Sequence, residues 1–157
     1  MNTEAAPAIS VADLGFSYGE GEAGLEGLTL EVPRGSMLAV VGPNGAGKTT
    51  LLGLLCGRLR PRAGSVVVCG LAPSGGDRRE LARRVAVVGQ QPALGFPFSV
   101  LEAELMGRAP HVEGFRLEGP HDLEAAQLAM EATRVSGLAG RRFDGLSSGE
   151  RQRVVVA

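Results

Sequence analysis

The chain has 157 residues, 44% of them hydrophobic and 21% charged, with a formal net charge of −1 at pH 7. That length suffices for one domain with a real core, and the near-neutral balance excludes a general attraction to nucleic acid or an acidic membrane surface. No apolar run approaches the ~18 residues of a bilayer-spanning helix, and residues 1–10 lack the basic and apolar regions of a secretion signal, so a soluble protein is expected.

Residues 9–18 and 25–32 read as two strands, the second alternating Leu28, Leu30 and Val32 with Thr29 and Glu31. Gly19-Glu20-Gly21-Glu22 forms the turn between them, and Pro33-Arg34-Gly35 leads into a buried strand, Met37-Leu38-Ala39-Val40-Val41. A helix over 49–56 carries Leu51, Leu52, Leu54 and Leu55 and stops near Gly57. Residues 65–69 are a valine-rich strand. Asp77 caps a short helix to residue 84, with Glu80 placed for a capping box. Residues 85–88 form a second buried strand, ending at Gly89-Gln90-Gln91-Pro92. From Ser99 the period becomes helical through Leu101, Leu105 and Met106, and residues 122–136 form an amphipathic helix. Ser147 or Ser148 caps a last helix that ends in Val154-Val155-Val156-Ala157. A helix interrupted in its apolar stretch is an unusual natural terminus, so the chain is expected to be truncated at its C-terminal end.

One segment names its ligand. Gly42-Pro43-Asn44-Gly45-Ala46-Gly47-Lys48-Thr49-Thr50 satisfies G-x-x-x-x-G-K-S/T, with an apolar β-rich run before it and a helical pattern after it. Glycines let backbone N–H groups approach phosphate oxygens without a Cβ in the way, and the helix start adds its positive end. Lys48, the only lysine of the chain, can reach β- and γ-phosphates, and the Thr49 hydroxyl can ligate Mg²⁺. Cys56 and Cys69 lack metal-ligand or disulfide spacing and read as small core-type residues of a reducing compartment.

A second motif, Leu146-Ser147-Ser148-Gly149-Glu150-Arg151-Gln152-Arg153, resembles the LSGGQ-type signature of ATP-binding-cassette proteins. A Ser/Gly turn opening a helix offers hydroxyl and N–H donors to an anion. The resemblance implies an α/β phosphate-loop ATPase fold with a strand-rich nucleotide lobe over residues 1–91 and a helical lobe over 92–157. It implies ATP and Mg²⁺ as ligands, held by residues 42–50. Gln90, which directly follows a strand and is preferred to Gln91, matches the glutamine that senses Mg²⁺ and the permease. Tyr18 resembles the aromatic that stacks on adenine; its bland alternative is a buried strand-end tyrosine. Ser147, Ser148 and Gly149 would close on the γ-phosphate held by the partner of a homodimer.

Leu94-Gly95-Phe96-Pro97-Phe98-Ser99-Val100 and Met106-Gly107-Arg108-Ala109-Pro110-His111 are similar to bacterial haemin-import ATP-binding subunits, and siderophore and cobalamin importers share part of the pattern. This implies membrane permease subunits as partners, a periplasmic binding protein acting indirectly, no nucleic acid, and a place on the cytoplasmic face of the bacterial inner membrane. His111 and His121 read as exposed loop histidines rather than haem ligands. Two departures qualify the match. Ser148 stands where the family usually has glycine. No Asp or Glu follows four apolar residues after the signature, and the later switch histidine is missing, so these residues are expected to support nucleotide binding better than hydrolysis. The rival reading is a non-catalytic nucleotide-binding or interaction fragment. A small-molecule kinase or GTPase is disfavoured, because no acceptor-binding or guanine-reading motif is present.

Overall fold

The computed structural model describes residues 6–19, 24–89, 97–112 and 118–157. They fall into two compact units, Met1–Ala86 and Val87–Ala157. Among the described residues no helix is long and apolar enough to cross a membrane.

The first unit is built on a three-stranded antiparallel sheet of order β2-β1-β3, with β1 at Ile9–Phe16, β2 at Leu25–Val32 and β3 at Ala63–Val68. Val11 faces Leu30 on one side and Val66 on the other, and Leu14 pairs with Leu28. The register shifts between Val11 and Leu14 on the β2 side. There Asp13 takes a left-handed φ of 47°, which a short polar side chain tolerates, and its N–H donates to Thr29 Oγ1 at 3.0 Å. Gly64, at φ +76°, lies against this bulge, where a Cβ would collide with the carbonyl oxygens of Ala12 and Asp13. Helix α1, Lys48–Leu55, follows the glycine-rich loop and packs Leu51 and Leu54 against Val11, Leu14, Val66 and Val68. Full burial of residues such as Leu14 and Leu54 is worth about 1.5–3 kcal/mol each. Helix α2, Arg78–Ala82, has the Asp77 cap as read, with Asp77 Oδ1 accepting from the N–H groups of Arg79 and Glu80. It ends before residue 84, and Glu80 pairs with Arg84 in place of the expected capping box.

The second unit is helical: α3 at Val100–Met106, α4 at Pro120–Ala132 and α5 at Ser148–Val156, with 3₁₀ turns at Ser136–Leu138 and Phe143–Gly145. Val100, Met130, Val135, Phe143, Leu146 and Val154 form its core. Helix α3 opens with a capping box in which Ser99 and Glu102 satisfy each other's backbone donors. Helix α4 has Pro120 in its first turn, while the Asp122 carboxylate accepts from Gly119 N–H and from Arg108 Nε, holding Asp122 below the usual carboxylate range.

Three expectations are corrected. Residues 37–41 form no strand, and Met37, Leu38, Val40 and Val41 are 98, 55, 44 and 87% exposed. Residues 85–88 form none either; Val85 touches the first core, but Val87 and Val88 are exposed. A strand is completed by its neighbour's hydrogen bonds, and among the described residues neither run has a ladder partner. Third, α4 stops at Ala132 rather than Ser136. Arg134 turns left-handed (φ 59°), Val135 N–H reaches back to Met130 O, and Arg134 N–H to Glu131 O, a Schellman ending without glycine.

Candidate functional site

The loop from Gly42 to Gly47 is tightened by a turn in which Ala46 N–H donates to Pro43 O at 3.3 Å. Gly47 is the N-cap of α1 with φ 82°, and a Cβ there would approach Leu25 Cδ2 to 2.6 Å. Both the left-handed backbone and the close approach of β2 call for glycine. Gly47 can offer no side-chain cap, and the first turn of α1 carries no acidic residue. The leading N–H groups of the helix and its positive end therefore face an exposed loop with no side-chain carboxylate on that turn to screen them. That is a cradle chemically matched to an anion.

Lys48 Nζ donates to Gly42 O at 2.9 Å and to Pro43 O at 2.7 Å. The ammonium is thus held over the loop that the motif assigns to phosphate, beside Pro43, Asn44, Gly45 and Ala46. Thr49 is exposed and Thr50 is buried at 8%. Among the described residues no group of three or more His, Cys, Asp or Glu could hold a metal. A divalent cation would accordingly rest on the Thr49 hydroxyl and on phosphate oxygens rather than in a protein cage, as suits Mg²⁺. His121 lies exposed in the first turn of α4, not in a loop, and His111 is exposed as well.

Tyr18, just past β1, is 62% exposed and packs edge-to-face on Phe16, with ring centroids 4.9 Å apart and planes at 89°. Its hydroxyl lies 3.2 Å from Thr50 Oγ1. The structure thus brings the loop, Lys48, Thr49, Thr50 and Tyr18 together within the first unit. Leu25, which fixes the space beside Gly47, carried no recognisable signal in the sequence.

The signature lies in the second unit. Ser147 is the N-cap of α5: its Oγ accepts from Glu150 N–H at 3.3 Å and donates to Glu150 Oε2 at 2.7 Å, while Ser147 N–H donates to the same oxygen at 2.8 Å. Arg141 Nη1 approaches Glu150 Oε1 to 3.6 Å. The bonds from the Ser147 hydroxyl and backbone hold the Glu150 carboxyl below its usual range. Ser148 is the first residue of α5 and is exposed, and a Cβ at Gly149 would meet open space. The Ser-x-x-Glu spacing signals this capping role of Glu150, which the reading of the signature motif did not assign. Gln90, with Gln91 and the Leu94-Gly95-Phe96 stretch, lies outside the described residues.

The ABC transporter family profile matches residues 25–157. The chain belongs to that family. It is 50% identical over 133 residues to the hemin import ATP-binding protein HmuV of Gloeobacter violaceus, covering 85% of this chain and 48% of that protein. The HmuV of Pseudomonas aeruginosa is 47% identical over 151 residues, 95% of this chain and 56% of its own length. Among solved structures, an ABC transporter assigned to the metal-chelate type, in an inward-facing conformation, superposes with a TM-score of 0.78 at 34% identity, over 96% of this chain and 54% of that one. The chain therefore spans about half the length of the curated relatives it matches, and the fold is part of an ABC-type phosphate-loop ATPase.

Proposed function

We propose that this chain is the nucleotide-binding part of an ABC importer subunit, taking ATP with Mg²⁺ and coupling it to uptake of haemin, with iron-siderophore or cobalamin as near alternatives. The observation that carries the reading is the phosphate loop: an exposed glycine cradle at an uncapped helix start, with the Lys48 ammonium folded over it. In this reading residues 42–50 grip the triphosphate, Lys48 neutralises its β/γ charge, and Thr49 with Gln90 attends the Mg²⁺ ion. Tyr18 meets the adenine through its exposed ring. The cargo assignment is supported by likeness to proteins named for hemin import and by the Pro97-Phe98-Ser99-Val100 and Met106-to-His111 segments.

Ser147, Ser148 and Gly149 would act on nucleotide bound by a second copy, in a homodimer beneath permease subunits at the cytoplasmic membrane face, fed indirectly by a periplasmic binding protein. Residues 1–91 would form the nucleotide lobe and 92–157 the permease-facing lobe. The second reading, a non-catalytic nucleotide-binding or interaction fragment, shares the same phosphate loop and differs from the first in turnover alone.

Titration calorimetry with Mg-ATP tests the site. Wild type binds, and Lys48→Ala weakens binding on the order of 10- to 100-fold, as expected for loss of charge-assisted contacts of about 1.5–3 kcal/mol. Unchanged affinity in the variant removes the basis of the proposal. Steady-state phosphate release from the same sample decides between subunit and fragment: sustained turnover would rule out the non-catalytic reading.

A further inference from the structure

The end of the β1–β2 hairpin meets the start of α1 at two points. Leu25, paired with Phe16, occupies the space beside Gly47. Tyr18, packed on Phe16, brings its hydroxyl to 3.2 Å from Thr50 Oγ1. Thr50 is buried at 8%, while the Tyr18 side chain is largely exposed. A buried hydroxyl in a first helical turn needs a partner, and a threonine there commonly bonds to its own helix backbone; here the bond recorded for it is to an aromatic 32 residues away in sequence.

The chemistry of two hydroxyls is directional. Each has one proton to give and lone pairs to accept with. If Thr50 gives its proton to Tyr18, it has none left for a phosphate oxygen. If Tyr18 donates, Thr50 accepts and keeps its own proton for an anion at the loop, and the chain Tyr O–H to Thr O–H to anion strengthens each bond in it. An anion at the loop therefore selects the second arrangement.

We propose that the Tyr18 hydroxyl is a positioning group for the phosphate end of the site: by donating to Thr50 it orients that hydroxyl toward a bound polyphosphate, and it ties the exposed Tyr18 ring to the phosphate loop. The inference rests on the nucleotide-site reading above but assigns Tyr18 a task at the phosphates that stacking on a base does not include. Ring and hydroxyl thus have separate effects. The ring acts on ligands with a base. The hydroxyl acts on any polyphosphate.

The test is calorimetric titration of the full chain with Mg-ATP and with Mg-tripolyphosphate, which has no base, on wild type, Tyr18→Phe, Thr50→Val and the double variant. Tyr18→Phe keeps the ring and its contact with Phe16, so folding is preserved. The expected result is a loss of about 3- to 10-fold in affinity for both ligands in Tyr18→Phe, a loss at least as large in Thr50→Val, and a double variant no worse than Thr50→Val alone. Equal tripolyphosphate affinity in wild type and Tyr18→Phe overturns the proposal, as do losses that simply add in the double variant. Wild type that binds neither ligand overturns the nucleotide-site reading and this inference with it, whereas wild type that binds both beside an indifferent Tyr18→Phe removes the hydroxyl link alone.

Discussion

Glu104 on α3 gives the sharpest pH-dependent prediction. One carboxyl oxygen, Oε1, is buried without a hydrogen-bond partner among the described residues, and burial pushes the group up to about 7 from 4.5. The folded state therefore prefers the protonated form, while the unfolded chain ionises near 4.5. Below that value both states are protonated and Glu104 adds no pH-dependent cost. As pH rises from about 4.5 to 7 the unfolded state gives up its proton first, and stability falls by linkage until both states are ionised. At about 1.4 kcal/mol per tenfold in proton affinity the ceiling is ~3 kcal/mol. The residue is only partly buried, so solvent screening brings the expected effect to ~1–2 kcal/mol. Glu104→Gln should then raise the urea-unfolding free energy by that amount at pH 8 and leave it nearly unchanged at pH 4.5. A gain of the same size at both pH values would show that shape or helix propensity, not the buried charge, sets the effect, and would refute the reasoning.

Leu14→Ala, at a fully buried position of the central strand, should cost about 2–5 kcal/mol, read as a lower urea midpoint with unchanged slope. Gly47→Ala forces an L-residue into a left-handed backbone and a Cβ to 2.6 Å from Leu25 Cδ2; a loss of roughly 1–2 kcal/mol from the backbone alone and a marked drop in Mg-ATP affinity are expected by melting and calorimetry. Ser147→Ala removes the α5 cap and should cost about 1 kcal/mol. Because Glu150 sits below its usual range, that cap's contribution is present above pH 4.5 and fades as pH falls through the lowered value, so the wild-type advantage over Ser147→Ala should shrink in acid. Met37→Lys with Val41→Lys, at positions 98 and 87% exposed, should change unfolding free energy by less than ~0.5 kcal/mol while reducing binding of a hydrophobic dye.

What the sequence disclosed and what it withheld divide along a physical line. Features fixed by a few neighbouring residues were legible. The glycine loop with Lys48 is specified within nine residues, because the backbone conformation it needs is one that glycine alone adopts freely. Asp77 and Ser147 cap their helices as their spacing implied, since a cap is a bond between residues three apart. Strand β2 was read with its observed ends, its alternation of Leu28, Leu30 and Val32 matching a sheet with one buried face.

Features that depend on a distant partner were not. The runs at 37–41 and 85–88 have the composition of buried strands, yet composition states only a preference for a covered, paired environment. Without a neighbouring ladder among the described residues, that preference leaves Met37, Val41 and Val87 in water. The end of α4 was misplaced for a related reason: Arg134 supplies the left-handed turn that a glycine would have advertised. The Tyr18–Thr50 contact spans 32 positions, and no local pattern announces it, although each residue was singled out separately as a nucleotide contact. The local code thus specified the glycine loop and its lysine, while the arrangement around that loop is set by which distant segments come to lie beside it.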